Sequence, residues 1–257
     1  MQTCSNIFRS ALTRMENMDE NEVEIIDWLE ERKHHWNEEG FPLVTISYAQ
    51  TLDGSLTVRR GMPTGLSGPQ SQRMTHRLRA SHDAILVGIG TVLADDPQLT
   101  VRLVSGDHPQ PVVLDSRLRL PLECQLLRRR DRQVWVACAK TADISRQNVL
   151  QKQGVELIGL SRRGDRGLDL AELLKELYQR GIRSVMVEGG AKVITSFLAE
   201  RLAHLAIVTI VPRWLGGLNV IAQKRAVDGL PSLENVQYRL FGKDILIFGD
   251  LVWGKVE

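Results

Sequence analysis

Asp83 to Arg102 constrains the fold of this chain more than any other stretch. Ala84 to Val87 is a short apolar run closed by Gly88, the pattern of a strand buried on both faces rather than of an alternating edge strand. Gly88 and Gly90 permit a tight turn and a close approach of backbone to ligand, with Thr91 placed to cap the short turn Val92-Leu93-Ala94. Asp95, Asp96 and Pro97 end that turn, and Leu99-Thr100-Val101-Arg102 runs outward to a guanidinium. On spacing alone two readings stand: a ligand-binding loop, or a βα unit closed by an Asx-type turn at Asp-Asp-Pro.

The 257 residues, 43% of them hydrophobic, suffice for one large domain or one domain with an appendage. No apolar run approaches the roughly 20 residues that span a bilayer, and the N-terminus lacks the apolar centre of a signal peptide, so a cytoplasmic protein without a membrane partner is expected. Cys4, Cys124 and Cys138 are scattered and suggest neither a disulfide framework nor a zinc site; no metal is expected. Glu16 to Glu39 holds ten carboxylates against Arg32 and Lys33, a net of −8, and since the whole chain is +2 the remainder carries +10. A basic body favours an anionic small molecule such as a phosphorylated metabolite. Nucleic acid is disfavoured, because aromatics make up 5% of the chain and do not interleave with the basic residues.

Taken in order, residues 1–40 read as an extension ending in an acidic amphipathic helix, with Ile25, Trp28, Leu29 and Trp36 on one face, docked on its own chain or on a partner. Residues 41–257 form the main domain. Leu43 to Ala49 is a strand, and Thr51-Leu-Asp-Gly54 a turn into a second short strand, Ser55 to Val58. Arg59 to Gly68 is a loop; Pro69 opens a helix ending near Ser81, with Met74 and Leu78 on one face. Strands follow at Pro111 to Leu114, Val134 to Cys138 and Val155 to Leu160. Asp169 with Glu172 resembles a capping pair for a helix carrying Leu170, Leu173, Leu174 and Leu177 and stopped by Gly181. Arg183 to Val187 is the next strand, leading through Glu188-Gly189-Gly190 into a helix from Ala191 to Arg201. His204 to Val211, Val236 to Phe241 and Ile245 to Trp253 complete an α/β chain with a mostly parallel central sheet and antiparallel C-terminal strands.

A strand ending in Glu-Gly-Gly before a helix leaves free backbone N–H groups and a positive helix end at the sheet's carboxyl edge, where phosphate binds well. The other reading of Gly189-Gly190 is close helix-strand packing. Glu188, Thr91 and Asp95 all fall at or just after the ends of strands expected to be parallel, which is where open α/β sheets bind ligands.

Thr51-Leu-Asp-Gly54, Leu78-Arg79, the string from Gly88 to Arg102, Val113-Leu-Asp-Ser116 and Val187-Glu-Gly-Gly190 together resemble the reductase domain of bacterial riboflavin biosynthesis, from about Phe41 to the C-terminus. The resemblance implies a dihydrofolate-reductase-like three-layer fold and NADPH-dependent reduction of the ribose of 5-amino-6-(5-phosphoribosylamino)uracil to ribityl. By similarity Ala49, Thr91, Asp95, Ser116 and the run Gly189, Gly190, Ala191, Lys192, Val193, Ile194, Thr195 and Ser196 hold NADPH. Arg79, Leu99, Arg102 and Glu188 hold the substrate, the arginines suiting its 5-phosphate. Asp95 and Glu188 are the candidates for organising the proton that ring opening needs, and Arg117 or Arg119 for meeting the 2′-phosphate of NADPH. A homodimer is implied as well.

Pro63 and Gly65 stand where the family usually places a serine and a tryptophan. No His-x-Glu with Pro-Cys-x-x-Cys is present, so a separate deaminase is expected if the chain serves that pathway, acting before or after the reduction. Two other readings remain: the same fold reducing a pterin such as dihydrofolate or another small heterocycle, and a non-catalytic nucleotide-binding protein whose acidic helix binds a partner.

Overall fold

The computed structural model describes residues 18–59, 61–62, 64–164, 167–221 and 231–254. The strand expected at the heart of the chain, β3 (Ala84–Gly88), is buried along its whole length. Its side chains alternate between two cores: Ala84 and Leu86 face one, Ile85 and Val87 the other. The neighbouring strand β7 (Ser184–Gly189) and, beyond it, β1 (Leu43–Thr51) split in the same way, with Val44, Ile46, Val185 and Val187 on one face and Leu43 and Met186 on the other. A sheet apolar on both sides must be covered on both, which gives three layers.

Among the described residues, nine strands form the central sheet in the order β10-β11-β8-β1-β7-β3-β4-β5-β6. The members not yet placed are β4 (Gln110–Leu114), β5 (Trp135–Ala139), β6 (Glu156–Leu160), β8 (Leu205–Val211), β10 (Pro231–Phe241) and β11 (Asp244–Trp253). Pairing is parallel from β8 across to β6 and antiparallel at β8/β11 and β10/β11, as the sequence pattern anticipates. Two features depart from it. The segment β2 (Ser55–Thr57) does not fold back on β1 but pairs with β9 (Leu218–Asn219) in a separate two-stranded sheet. Strand β10 also starts five residues before the expected Val236, since its outward residues are polar or exposed and give no apolar run.

One face is covered by α5 (Leu170–Gln179) and α6 (Ala191–Ala199). Asp169 caps α5 by accepting the Glu172 N–H at 3.0 Å, the capping pair seen in the sequence. The other face is covered by α1 (Glu20–His35), α2 (Pro69–Ala80), the short α3 (Ile89–Asp95) and α4 (Ile144–Lys152). The acidic helix α1 docks on its own chain: Ile25, Trp28 and Leu29 are buried against Met74, Leu78, Phe241 and Phe248, and the Trp28 ring meets Phe248 edge-on at 5.0 Å. Its carboxylates find basic partners, Glu22 on Arg73 and Glu24 on Arg239, while Arg32 forks onto Asp250. Helix α2 begins at Gly68, which has no capping side chain, and Asp244 of β11 supplies the cap, accepting from Gly68 N and Ser71 Oγ, both at 2.7 Å.

Candidate active site

Strands β1, β7, β3 and β4 lie side by side and end at one edge of the sheet. The chain runs outward from β3 to β6, returns to insert β7 between β1 and β3, then crosses to β8, so the crevice beyond these ends sits where the strand order reverses.

Glu188 occupies a bulge. Leu86 pairs with Val187 and Val87 with Gly189, which leaves Glu188 as the extra residue on β7. A bulge re-aims a side chain and interrupts the ladder. Here the carboxylate meets Arg79 of α2 in a fork, Nε donating to Oε1 at 2.6 Å and Nη2 to Oε2 at 2.7 Å, with both side chains about seven-eighths covered. Arg79 Nη1 donates to Thr100 O at 3.1 Å. Burial pulls the Arg79 guanidinium down, but the Glu188 charge and hydrogen bonds outweigh it and hold its pKa above the ordinary value.

The glycines at the ends of β3 and β7 bring two helix starts together. Helices α3 and α6 begin at Gly88 and Gly190, neither with a side-chain cap, so the first-turn N–H groups at both starts are left for a ligand. A Cβ on Gly88 would lie 2.7 Å from Val193 Cγ2, and Cβ atoms on Gly189 and Gly190 would lie 3.1 and 3.2 Å from Thr91 Oγ1. Thr91 therefore does not cap α3, which already starts at Ile89, and its hydroxyl faces the Gly189-Gly190 turn instead. Of the two readings of Gly189-Gly190, the close packing is what the geometry shows. The uncapped amides beside it have the chemistry that suits an anion.

Asp95, the last residue of α3, is exposed, and partial desolvation raises its carboxyl above the ordinary carboxylate value. Asp96 follows in a left-handed conformation (φ 40°) and is engaged elsewhere, accepting Gln125 N at 2.8 Å. Leu99 is buried with φ 52°, and the Arg102 side chain is exposed at the end of the same arm. Ala49 lies in β1, half-buried, paired with Thr209 of β8; Ser116 follows β4 and is half-buried. Within the run Gly189 to Ser196, Ala191 and Lys192 lie in the uncapped first turn with the Lys192 side chain exposed, and Val193 packs toward Gly88. Ile194 and Thr195 turn inward: Ile194 is fully buried, and Thr195 Oγ1 donates to Ala191 O at 2.6 Å, with Val220 O also within reach at 2.9 Å. Arg117 and Arg119 are exposed, with Arg119 Nε 3.7 Å from the buried Asp115. Gly65 is exposed with open space around it, and Pro63 lies outside the described residues.

Several residues escaped the sequence reading. Asp53 is a hub, accepting from Thr51 Oγ1, Ser55 Oγ, Leu215 N and Gly216 N, which ties the loop after β8 to the end of β1. The Thr51 bond first, then those from Gly216, Ser55 and Leu215, hold its carboxyl far below the usual range. The Asp-Gly pair gave a turn but not its distant partners. His76, His108 and Arg129 carried no motif at all, yet all three contact the Gln98–Arg102 arm.

The arrangement has known counterparts. The chain matches the RibD C-terminal domain over residues 42–247. It is 32% identical over 229 residues to the riboflavin biosynthesis protein RibD of Aquifex aeolicus, covering 85% of this chain and 62% of that protein, so it spans about three fifths of that relative. It is 37% identical over 214 residues to the 2,5-diamino-6-ribosylamino-4(3H)-pyrimidinone 5′-phosphate reductase of Methanothermobacter thermautotrophicus, covering 80% of this chain and 96% of that protein. Among solved structures it is similar to the Saccharomyces riboflavin biosynthesis reductase Rib7, with a TM-score of 0.72 and 27% identity over 89% of this chain and 100% of that one. With a family match spanning most of its length and the matched motifs carried at one edge of a largely parallel sheet, this chain belongs to the RibD C-terminal domain family.

Proposed function

We propose that this oxidoreductase uses NADPH to reduce the ribosyl group of 2,5-diamino-6-ribosylamino-4(3H)-pyrimidinone 5′-phosphate, or of the deaminated 5-amino-6-(5-phosphoribosylamino)uracil, to a ribityl chain. The observation that carries the reading is the juxtaposition at one sheet edge of two uncapped helix starts with the bulged Glu188 and its Arg79 fork. Relatives matched over most of their length, which are 2,5-diamino-6-ribosylamino-4(3H)-pyrimidinone 5′-phosphate reductases, support it and favour the diamino substrate.

Bound NADPH supplies the hydride. The chain's own residues do the rest: the first-turn amides of α3 and α6 with Thr91 take the pyrophosphate, and Ser116 with Arg117 or Arg119 takes the 2′-phosphate. Arg102, exposed at the end of its arm, takes the substrate phosphate, while Arg79 spends most of its fork orienting Glu188. Asp95, whose carboxyl pKa is raised by partial burial, and Glu188, its carboxylate held by the Arg79 fork, organise the proton needed as the ribose ring opens. A homodimer and a separate deaminase belong to the same proposal. Edge strand β10, with Val236, Tyr238 and Leu240 all at least half exposed, is the surface suited to a second copy.

The test is NADPH oxidation by the purified chain with the diamino compound, its deaminated form and dihydrofolate in parallel. Turnover of a phosphoribosylaminopyrimidine and not of dihydrofolate is expected, with NADH at least about tenfold poorer if an arginine meets the 2′-phosphate. Turnover of dihydrofolate alone would move the chain to the pterin reading, and tight NADPH binding with no turnover of any of the three would favour a binding protein.

A further inference from the structure

The arm Gln98–Arg102 is held at every residue by a side chain from elsewhere. Arg129 Nη1 donates to Gln98 O and Leu99 O, both at 3.2 Å; Arg79 Nη1 donates to Thr100 O. Val101 N donates to His108 Nδ1 at 3.1 Å and Arg102 N to His76 Nδ1 at 3.0 Å. The arm needs this support, since Leu99 sits at φ 52°, a conformation a branched side chain rarely takes. Of these holders His76 is the one that is buried rather than partly exposed. It is 3% exposed on α2, and helix packing alone would favour an apolar residue there.

We propose that His76 is a positioning residue for substrate: its Nδ1, by accepting the Arg102 N–H, fixes the arm so that the Arg102 guanidinium meets the substrate phosphate without having to order on binding. The proposal rests on the reading of Arg102 as a substrate contact. An acceptor on neutral imidazole suits this task, because burial first, and then the nearby Arg79 and Arg102 charges, push the His76 pKa down to about 4. The ring therefore remains an acceptor throughout the range in which an enzyme of this kind operates. Pre-ordering an arm of this sort lowers KM and leaves the chemical step alone.

The experiment compares H76L, which removes the acceptor, with H76N, whose Oδ1 stands where Nδ1 stood. H76L is expected to raise KM for the phosphoribosylaminopyrimidine about tenfold while kcat and the Kd for NADPH stay within about twofold, and H76N to return KM to within about threefold of the parent. If H76L does not give folded protein, H76Q takes its place, since its carboxamide reaches the ε rather than the δ position. Amide hydrogen exchange without substrate supplies the independent readout: protection at Arg102 falls about tenfold or more in H76L and is kept in H76N. An unchanged KM in H76L, an H76N as impaired as H76L, or unaltered exchange at Arg102 would overturn the proposal. If the parent chain turns over no phosphoribosylaminopyrimidine, the substrate reading fails by itself, and the exchange comparison still decides whether His76 holds Arg102.

Discussion

Glu188→Ala is expected to lower kcat/KM by about a hundredfold or more and to lower the unfolding temperature by about 6–10 °C. Both effects come from one arrangement. Arg79 and Glu188 make two short parallel hydrogen bonds with both side chains mostly covered, so removing either partner leaves a charge desolvated and unmatched, at a cost of about 3 kcal/mol. The fork also anchors Thr100 O, so the loss spreads into the arm that ends in Arg102. Arg79→Leu is expected to give the same fall in stability. The R79L/E188L double variant separates the two effects: stability recovers most of the loss, because neither charge remains to be buried unpaired, while activity stays low. Thermal unfolding and steady-state kinetics on the four proteins measure this. A double variant that regains activity would remove Glu188 and Arg79 from the chemistry.

Gly190→Ala is expected to raise the Kd for NADPH about tenfold or more with little change in the Kd for substrate phosphate. Gly190 has φ 72° and ψ 134°, a region closed to residues with a Cβ, and its substitution costs on the order of 1–3 kcal/mol unless the turn moves. A new methyl would also press on Thr91 Oγ1 at 3.2 Å, displacing the hydroxyl that lines the amide cradle. Gly88→Ala reaches the same cradle from the other helix, by pushing Val193 at 2.7 Å. Gly65→Ala is the control, with an ordinary φ and open space around it. Fluorescence titration with NADPH decides; Gly190→Ala binding as tightly as the parent would place the cofactor elsewhere.

The sequence made β3, β7 and the leucine-lined α5 legible, because each carries its burial pattern locally: an unbroken apolar run, or apolar residues at helical spacing after a capping pair. Helix α4 was missed. Of its residues Leu150 alone is fully buried and Ile144 is exposed, so no stripe marks it, and Asp143 accepting the Arg146 N–H is the one local signal of its start. The edge at which Thr91 meets the Gly189-Gly190 turn was legible from strand order and glycine placement. The partners that give those residues their state were not. Glu188 meets Arg79 across 109 positions, Gly68 is capped by Asp244 across 176, and β2 pairs with β9 rather than with its neighbour. The bulge that re-aims Glu188 depends on register with β3, which no window on β7 contains.

The proposed reaction reduces a ribosyl carbon rather than a ring. The most direct measurement is the fate of label from NADPH deuterated at the transferred position of its nicotinamide, with the diamino ribosylaminopyrimidinone 5′-phosphate as substrate. One deuterium at C1 of an open ribityl chain is expected in the product. Label in the pyrimidine ring, or NADPH consumed with the ribose intact, would contradict it.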